Sequence, residues 1–298
     1  MLLAKFIAIV GPTASGKSEL GVLLAKKFGG EIISADSRQV YKGLDIGSGK
    51  ITKKEMRGVP HHLLDVASPR RKFSVAQYQK LTLKAIRDIQ KRGKLPILLG
   101  GTPFYVYTVI DGHIFPGVKP NPKFRQKLEI LSAKQLFAQL EKLDPVRAKS
   151  IERKNKRRLI RALEIIAATG KPVPELAKYS PLFDVFMIGI KRSPKELKKR
   201  IRKRLLSRLD YGMVAEVEHL HETGLSWKRL EELGLEYRFV AQYLQKKISY
   251  REMVDFLEKA INDFVRRQMV WFKKDPRIHW VSSYPEAKRL VEVKGQQA

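Results

Sequence analysis

Lys5-Phe-Ile-Ala-Ile-Val10 runs straight into Gly11-Pro12-Thr13-Ala14-Ser15-Gly16-Lys17-Ser18, and this stretch decides the fold. The short apolar run predicts a strand buried on both faces. The next eight residues match G-x-x-x-x-G-K-[ST], a loop whose glycines let backbone N–H groups wrap an anion at a helix N-terminus. Leu20, Leu23, Leu24 and Phe28 then recur at helical spacing, so a helix is expected over 18–28. Lys17 is placed to reach bridging and terminal phosphate oxygens, and the Ser18 hydroxyl to ligate Mg²⁺. The whole loop, Gly11, Pro12, Thr13, Ala14, Ser15, Gly16, Lys17 and Ser18, reads as a phosphate site. The loop leaves open a nucleotide kinase, an ATPase and a diphosphate-dependent transferase.

Outward from it, strand and helix patterns alternate. Glu31–Ala35, Leu95–Leu99 and, much later, Val185–Ile190 read as buried strands, and Phe73–Arg92 as a helix. Alternation with continuous apolar strands predicts an α/β fold: a P-loop NTPase-like parallel sheet flanked by helices. Between Pro116 and Lys178 the texture changes to Pro/Gly-rich sequence, then helices over Phe124–Leu143 and Arg157–Thr169, the second stopped by Gly170. The expected organisation is a core over 1–115, a helical insertion domain over 116–178 that contacts RNA, and the rest of the core over 179–298. Two long basic helices, Lys195–Tyr211 and Tyr250–Lys273, lie in that last part.

Charge narrows the partner. Sixty Lys+Arg against 30 Asp+Glu give a formal +30, which implies a polyanion, and nucleic acid above all. With no cysteine, disulfides, thiolate catalysis and Cys-ligated zinc are excluded. Neither a secretory leader nor an apolar run of membrane-spanning length is present, so a cytoplasmic protein without membrane contact is expected.

After the second strand comes Ser34-Ala-Asp36-Ser37-Arg38-Gln39-Val40-Tyr41-Lys42-Gly43-Leu44-Asp45-Ile46-Gly47. With the phosphate loop, it closely resembles the tRNA dimethylallyltransferases, also called tRNA isopentenyltransferases. The resemblance continues through Pro60-His61-His62-Leu63-Leu64-Asp65, Gly100-Gly101-Thr102, Arg158-Leu-Ile-Arg161-Ala-Leu-Glu164, Gly234-Leu-Glu-Tyr237-Arg238 and Arg267-Gln268-Met-Val-Trp271-Phe272. Asn155-Lys156, Gly49, Pro103 and Glu236 depart from the common pattern, away from the loop and Asp36. No zinc-finger extension follows, as expected of the bacterial form.

The resemblance implies Mg²⁺-dependent transfer of a dimethylallyl group from dimethylallyl diphosphate to N6 of the adenosine 3′-adjacent to the anticodon in tRNA. A monomer binding the anticodon stem-loop is expected. N6 is a poor nucleophile, and a base that takes its proton would help. Asp36, after a strand and beside the loop, is the candidate base, with a second-shell Mg²⁺ role as the alternative. Arg200 and Arg204 match family positions for the diphosphate, Arg204 being assigned a catalytic role. A solvated helix face is the alternative for both. Thr102 is read as a catalytic contact or a helix cap, and Gln39 as a reader of an adenine edge. The resemblance extends tRNA contact to Asp36, Ser37, Arg38, Gln39, Thr102, Arg125, Arg157, Arg158, Arg161, Tyr237 and Arg238. Arg157 and Arg161, at i and i+4, are expected to face phosphates while Arg158 turns aside. Adjacent His61 and His62 are expected to be structural rather than metal ligands.

Rival readings are a small-molecule P-loop kinase, prenyl transfer to free AMP or ATP, and an RNA-binding protein with an inert loop. The first two leave +30 unexplained, and the third leaves the intact Lys17-Ser18 pair unexplained.

Overall fold

A computed structural model describes residues 5–174 and 183–296. Six strands form one all-parallel sheet: β1 (Lys5–Val10), β2 (Gly30–Ser34), β3 (His61–His62), β4 (Leu95–Gly100), β5 (Asp184–Ile190) and β6 (Ile278–Val281), in the spatial order β3-β2-β4-β1-β5-β6. Side chains on β1 alternate between two apolar layers. Phe6, Ala8 and Val10 join one cluster, and Ile7 and Ile9 join the other. Helices cover both faces, which is why the strands read as unbroken apolar runs.

The described chain divides into two compact units, one holding residues up to 112 and from 183 on, the other 113–174. Residues 175–182, which contain the expected end of the insertion at 178 and the start of the returning core at 179, lie outside the described residues. The second unit has its own core, built on Leu128, Leu136, Leu140, Leu159 and Leu163. Its expected helix over Phe124–Leu143 is two helices, Pro122–Glu129 and Ala133–Leu143. The break follows from a capping box. Ser132 accepts from the Gln135 N–H while the Gln135 side chain accepts from the Ser132 N–H, so a new helix starts there.

The long basic helices are Pro194–Asp210 and Tyr250–Phe272, each burying one stripe: Leu197, Ile201, Leu205 and Leu209 in the first, Met253, Leu257, Ile261, Val265 and Phe272 in the second. Among the described residues, no helix is long and apolar enough to cross a membrane.

Candidate active site at the carboxyl edge of the sheet

Parallel strands all end on one edge, where loops collect reactive groups. Here β2 delivers Asp36, β4 delivers Gly101-Thr102, β1 delivers the phosphate loop and β5 delivers Arg192. Because β4 lies between β2 and β1, the loop and Asp36 flank the Gly-Gly-Thr turn.

The loop wraps as its sequence requires. Gly16, at φ 95, opens helix Lys17–Phe28, and Ala14 sits at φ 61, a left-handed conformation that an alanine rarely adopts. The Lys17 Nζ donates to the Pro12 carbonyl at 3.1 Å. Three arginines close around the loop. Arg192 Nε donates to the Ser15 carbonyl at 3.2 Å, Arg200 Nε to the Ala14 carbonyl at 3.0 Å, and Arg204 to the Thr13 hydroxyl. A methyl group on Gly16 would stand 3.5 Å from Arg200 Nη2 and 3.8 Å from Arg192 Nη2, so the loop's open mouth faces both guanidiniums. Burial, and then the Arg204 charge, lower the Lys17 ammonium to about 8, against a smaller opposing pull from Asp36. Burial and the neighbouring Arg208 likewise lower Arg204 to about 9. Such crowding of like charge in a partly dry cradle is relieved when an anion binds. The alternative of a merely solvated helix face fails for Arg204, which is half-buried and bonded to Thr13 of the phosphate loop. Sequence reasoning missed Arg192, although its place just past a strand end was the available signal.

On the other side of the turn, Asp36 Oδ1 accepts from the backbone N–H groups of Arg38 at 2.8 Å and Gln39 at 3.3 Å, which locks the carboxylate in an Asx turn. Thr102 does not cap the helix Pro103–Ile110 that follows it, contrary to the capping expectation. Its hydroxyl instead accepts from the Ser37 N–H at 3.2 Å, next to Asp36. Arg38 turns back to its neighbour's carbonyl, Nη1 donating to Ser37 at 3.1 Å. Both ends of the Gln39 carboxamide are engaged inside the protein, accepting from Ser34 Oγ at 3.1 Å and donating to the Gly49 carbonyl at 3.1 Å. These bonds fix the carboxamide and leave one acceptor site on its oxygen and one N–H on its nitrogen.

Two residues without an assigned role turn out to organise the site. Gln268, 2% exposed, accepts from the Thr13 N–H at 2.9 Å and donates to the Gly101 carbonyl at 2.5 Å. Glu216 accepts from the N–H groups of Asp45, Ile46 and Gly47 at 3.0, 2.6 and 3.0 Å, and from the Tyr237 hydroxyl at 2.9 Å. Tyr237 is only 1% exposed and its hydroxyl also accepts from the Ser48 N–H at 3.1 Å, so the expectation that it touches tRNA is wrong for this conformation. It braces the 45–48 loop from below. Arg238 is exposed, its Nε donating to the Glu231 carbonyl at 3.2 Å.

Within the second unit, Glu164 (2% exposed) is a hub. Arg125 grips it with two bonds of 2.8 and 2.7 Å, Arg161 with one of 2.5 Å, and the Asn121 N–H with one of 2.7 Å. Burial raises its carboxyl, but these donors outweigh burial and hold it at about 2. The expectation that Arg157 and Arg161 act as a pair is therefore corrected. Arg161 is tied to Glu164 and to the Val118 carbonyl, while Arg157 and Arg158 are the exposed members. Arg158 approaches Glu152 at 3.5 Å.

His62 Nε2 meets Glu31 at 2.7 Å and His61 Nδ1 meets the Val59 carbonyl at 2.8 Å, both within β3 and its surroundings. Among the described residues, no group of three His, Cys, Asp or Glu could hold a metal. Mg²⁺ on a phosphate keeps water and phosphate oxygens as most of its ligands. Ser18 suits that role, being exposed at the mouth of the loop with its hydroxyl free of protein partners.

Known proteins resemble this chain in sequence and fold. The IPP transferase family model matches residues 39–275. A tRNA dimethylallyltransferase from Carboxydothermus hydrogenoformans is 42% identical over 299 residues, covering 97% of this chain and 96% of that protein. One from Anoxybacillus flavithermus is 40% identical, covering 93% and 89%. Among solved structures, the full-length tRNA isopentenylpyrophosphate transferase of Bacillus halodurans superposes with a TM-score of 0.74 at 35% identity, covering 98% and 97%. A eukaryotic dimethylallyltransferase, crystallised acting on tRNA, gives 0.81 at 25% identity, covering 98% of this chain and 79% of that one.

Proposed function

The chain belongs to the IPP transferase family, and from that premise we propose that it moves the dimethylallyl group of dimethylallyl diphosphate to N6 of the adenosine 3′-adjacent to the anticodon in tRNA. The observation that carries this reading is one juxtaposition: an anion cradle of Lys17, Arg192, Arg200 and Arg204 lies one strand away from Asp36, across the Gly100-Gly101-Thr102 turn.

Each residue then has work that matches its chemistry. The loop N–H groups, Lys17 and the three arginines hold the diphosphate. As the C1–O bond breaks, the electron pair departs with that leaving group, and preorganised positive charge favours the stretched state over the ground state. The N6–C1 bond forms as the N6 proton passes to the Asp36 carboxylate, whose Oδ1 is pinned by two amides and whose Oδ2 accepts no hydrogen bond from the protein. Ser18 would hold Mg²⁺, which would supply further neutralisation of the leaving diphosphate. Exposed Arg157 and Arg158, together with the overall +30, suit the phosphate backbone of the anticodon stem-loop. The target base must leave its stack for N6 to reach the acid-base group. We assign a cytoplasmic monomer to this activity.

The test mixes the protein with Mg²⁺, dimethylallyl diphosphate and unmodified tRNA, followed by nucleoside mass spectrometry. A five-carbon gain on the adenosine 3′ of the anticodon is expected. Prenylated AMP in a parallel reaction, with tRNA untouched, would overturn the assignment of the acceptor.

A further inference from the structure

Gln268 lies on the buried side of helix Tyr250–Phe272, in line with Met253, Leu257, Ile261, Val265 and Phe272. A carboxamide in that stripe interrupts an otherwise apolar seam, and burying it without partners would cost about 1–3 kcal/mol. It finds two, and they belong to different strand ends. Its oxygen takes the Thr13 N–H of the phosphate loop, after β1, and its nitrogen gives to the Gly101 carbonyl, after β4. From Thr13 the contacts pass to Arg204 through the threonine hydroxyl. From Gly101 they pass to Thr102, which takes the N–H of Ser37, the neighbour of Asp36. One unbroken run of hydrogen bonds and peptide links thus joins the leaving-group cradle to the loop of the base, and Gln268 is its middle member. Gly101 has room for this because it lacks a side chain. A methyl group there would stand 2.5 Å from Gln268 Nε2.

We propose that Gln268 is a positioning residue that fixes the separation between the diphosphate cradle and the Asp36 loop, and so the distance over which the prenyl carbon passes to N6. The proposal rests on the transferase reading above. Each half holds its own ligand by its own contacts: the cradle by Lys17 and the arginines, the acceptor loop by its Asx turn and Thr102. What Gln268 adds is their mutual register. A misplacement of ~1 Å between reacting groups lowers rate by about 10²-fold without a matching loss of binding.

The experiment is single-turnover transfer to tRNA with saturating donor and acceptor, for wild type, Gln268→Met, Gly101→Ala and the double variant. Methionine keeps length and volume but removes donor and acceptor together. Gln268→Met should transfer about 10- to 100-fold more slowly, with the Kd values for dimethylallyl diphosphate and tRNA within about threefold of wild type. Gly101→Ala, whose methyl would stand 2.5 Å from the Gln268 amide but also 3.2 Å from the Gly11 carbonyl and 3.3 Å from Lys17 Nζ, should slow transfer as well, with some loss of donor affinity of its own. The double variant should be no slower than the slower single, since both break one connection. If Gln268→Met loses its cooperative melt, Gln268→Glu reads the same split, because it keeps the acceptor for Thr13 and loses the donor to Gly101. A rate constant within about threefold of wild type overturns the proposal, as does a loss confined to donor affinity, which would make Gln268 a prop of the phosphate loop alone. Failure of wild type to prenylate tRNA would instead sink the transferase reading.

Discussion

Lys17 predicts its own signature in donor binding. Its ammonium is lowered from 10.5 to about 8 by burial and by Arg204. At ~1.36 kcal/mol per pH unit, that drop corresponds to about 3 kcal/mol of unfavourable interaction on the charged form of Lys17. The sign follows directly. This lysine opposes folding below about pH 8, and its opposition fades as pH rises from 8 towards 10.5, because the folded value is the lower one. A bound diphosphate supplies the missing counter-charge and returns the ammonium to its ordinary range. Through Lys17, donor binding takes up about 0.1 proton at pH 7, about 0.5 at pH 8 and about 0.9 at pH 9, in addition to any uptake by Arg204. Titration calorimetry of dimethylallyl diphosphate in buffers of different ionisation enthalpy reads this number. Lys17→Arg is the reference, since a guanidinium at this position stays charged and the ligand's own ionisation cancels in the difference. Equal proton uptake by both proteins at pH 8 and 9 would refute the reasoning.

Asp36→Asn keeps the oxygen that accepts from Arg38 and Gln39 but cannot take a proton. Turnover should fall about 10²- to 10⁴-fold while tRNA affinity stays within about threefold, and equal losses in both would remove Asp36 from the base role. Glu164→Gln removes the charge that Arg125 and Arg161 share, at a cost to the second unit of about 3 kcal/mol. Because the Glu164 carboxyl is held at about 2, that difference should persist above pH 4.5 and vanish as pH falls through 2. Hydrogen exchange over 121–129 and 156–169 measures it, and unchanged exchange in the variant contradicts the hub. Tyr237→Phe loses the bonds to Glu216 and Ser48 and should lower stability by about 1–2 kcal/mol in a thermal melt without altering tRNA affinity. Weaker tRNA binding with an unchanged melt would restore an RNA contact at this residue.

Much of the fold was legible because its signals are local. The loop Gly11–Ser18 announces a strand before it and a helix after it, and each buried strand is a continuous apolar run. Asp36 was legible from topology, because parallel sheets expose reactive groups where strands end. Other features depend on partners far away in sequence. Gln268 gains its meaning from Thr13, 255 positions earlier, and Glu216 from a loop 169 positions or more before it. Gln268 falls on the apolar stripe of its helix, which marks it as buried without naming its partners, and Glu216 shows no spacing that marks it. Motif membership identified Tyr237 without telling which way its ring points, and burial decided that question against RNA. Arg125 and Arg161, both expected at the RNA, meet Glu164, which lies 39 positions from the first and three from the second. The split of Phe124–Leu143 was readable, since Ser132-x-x-Gln135 is a start signal inside the apolar pattern.

The strand order bears on how the chain is made. β1 lies between β4 and β5, and its second edge is completed by Asp184–Ile190. Ribosomes add ~5–20 residues per second, so the gap of about 170 residues between Val10 and Asp184 keeps that edge unpaired for about 9–35 s of synthesis. An open apolar strand edge is a template for wrong pairing. The apolar cluster within 113–174, by contrast, is complete in sequence before Asp184 is added. The sequence of the interrupting segment is thus complete before β5 exists, and β1 holds an open edge through that interval of synthesis.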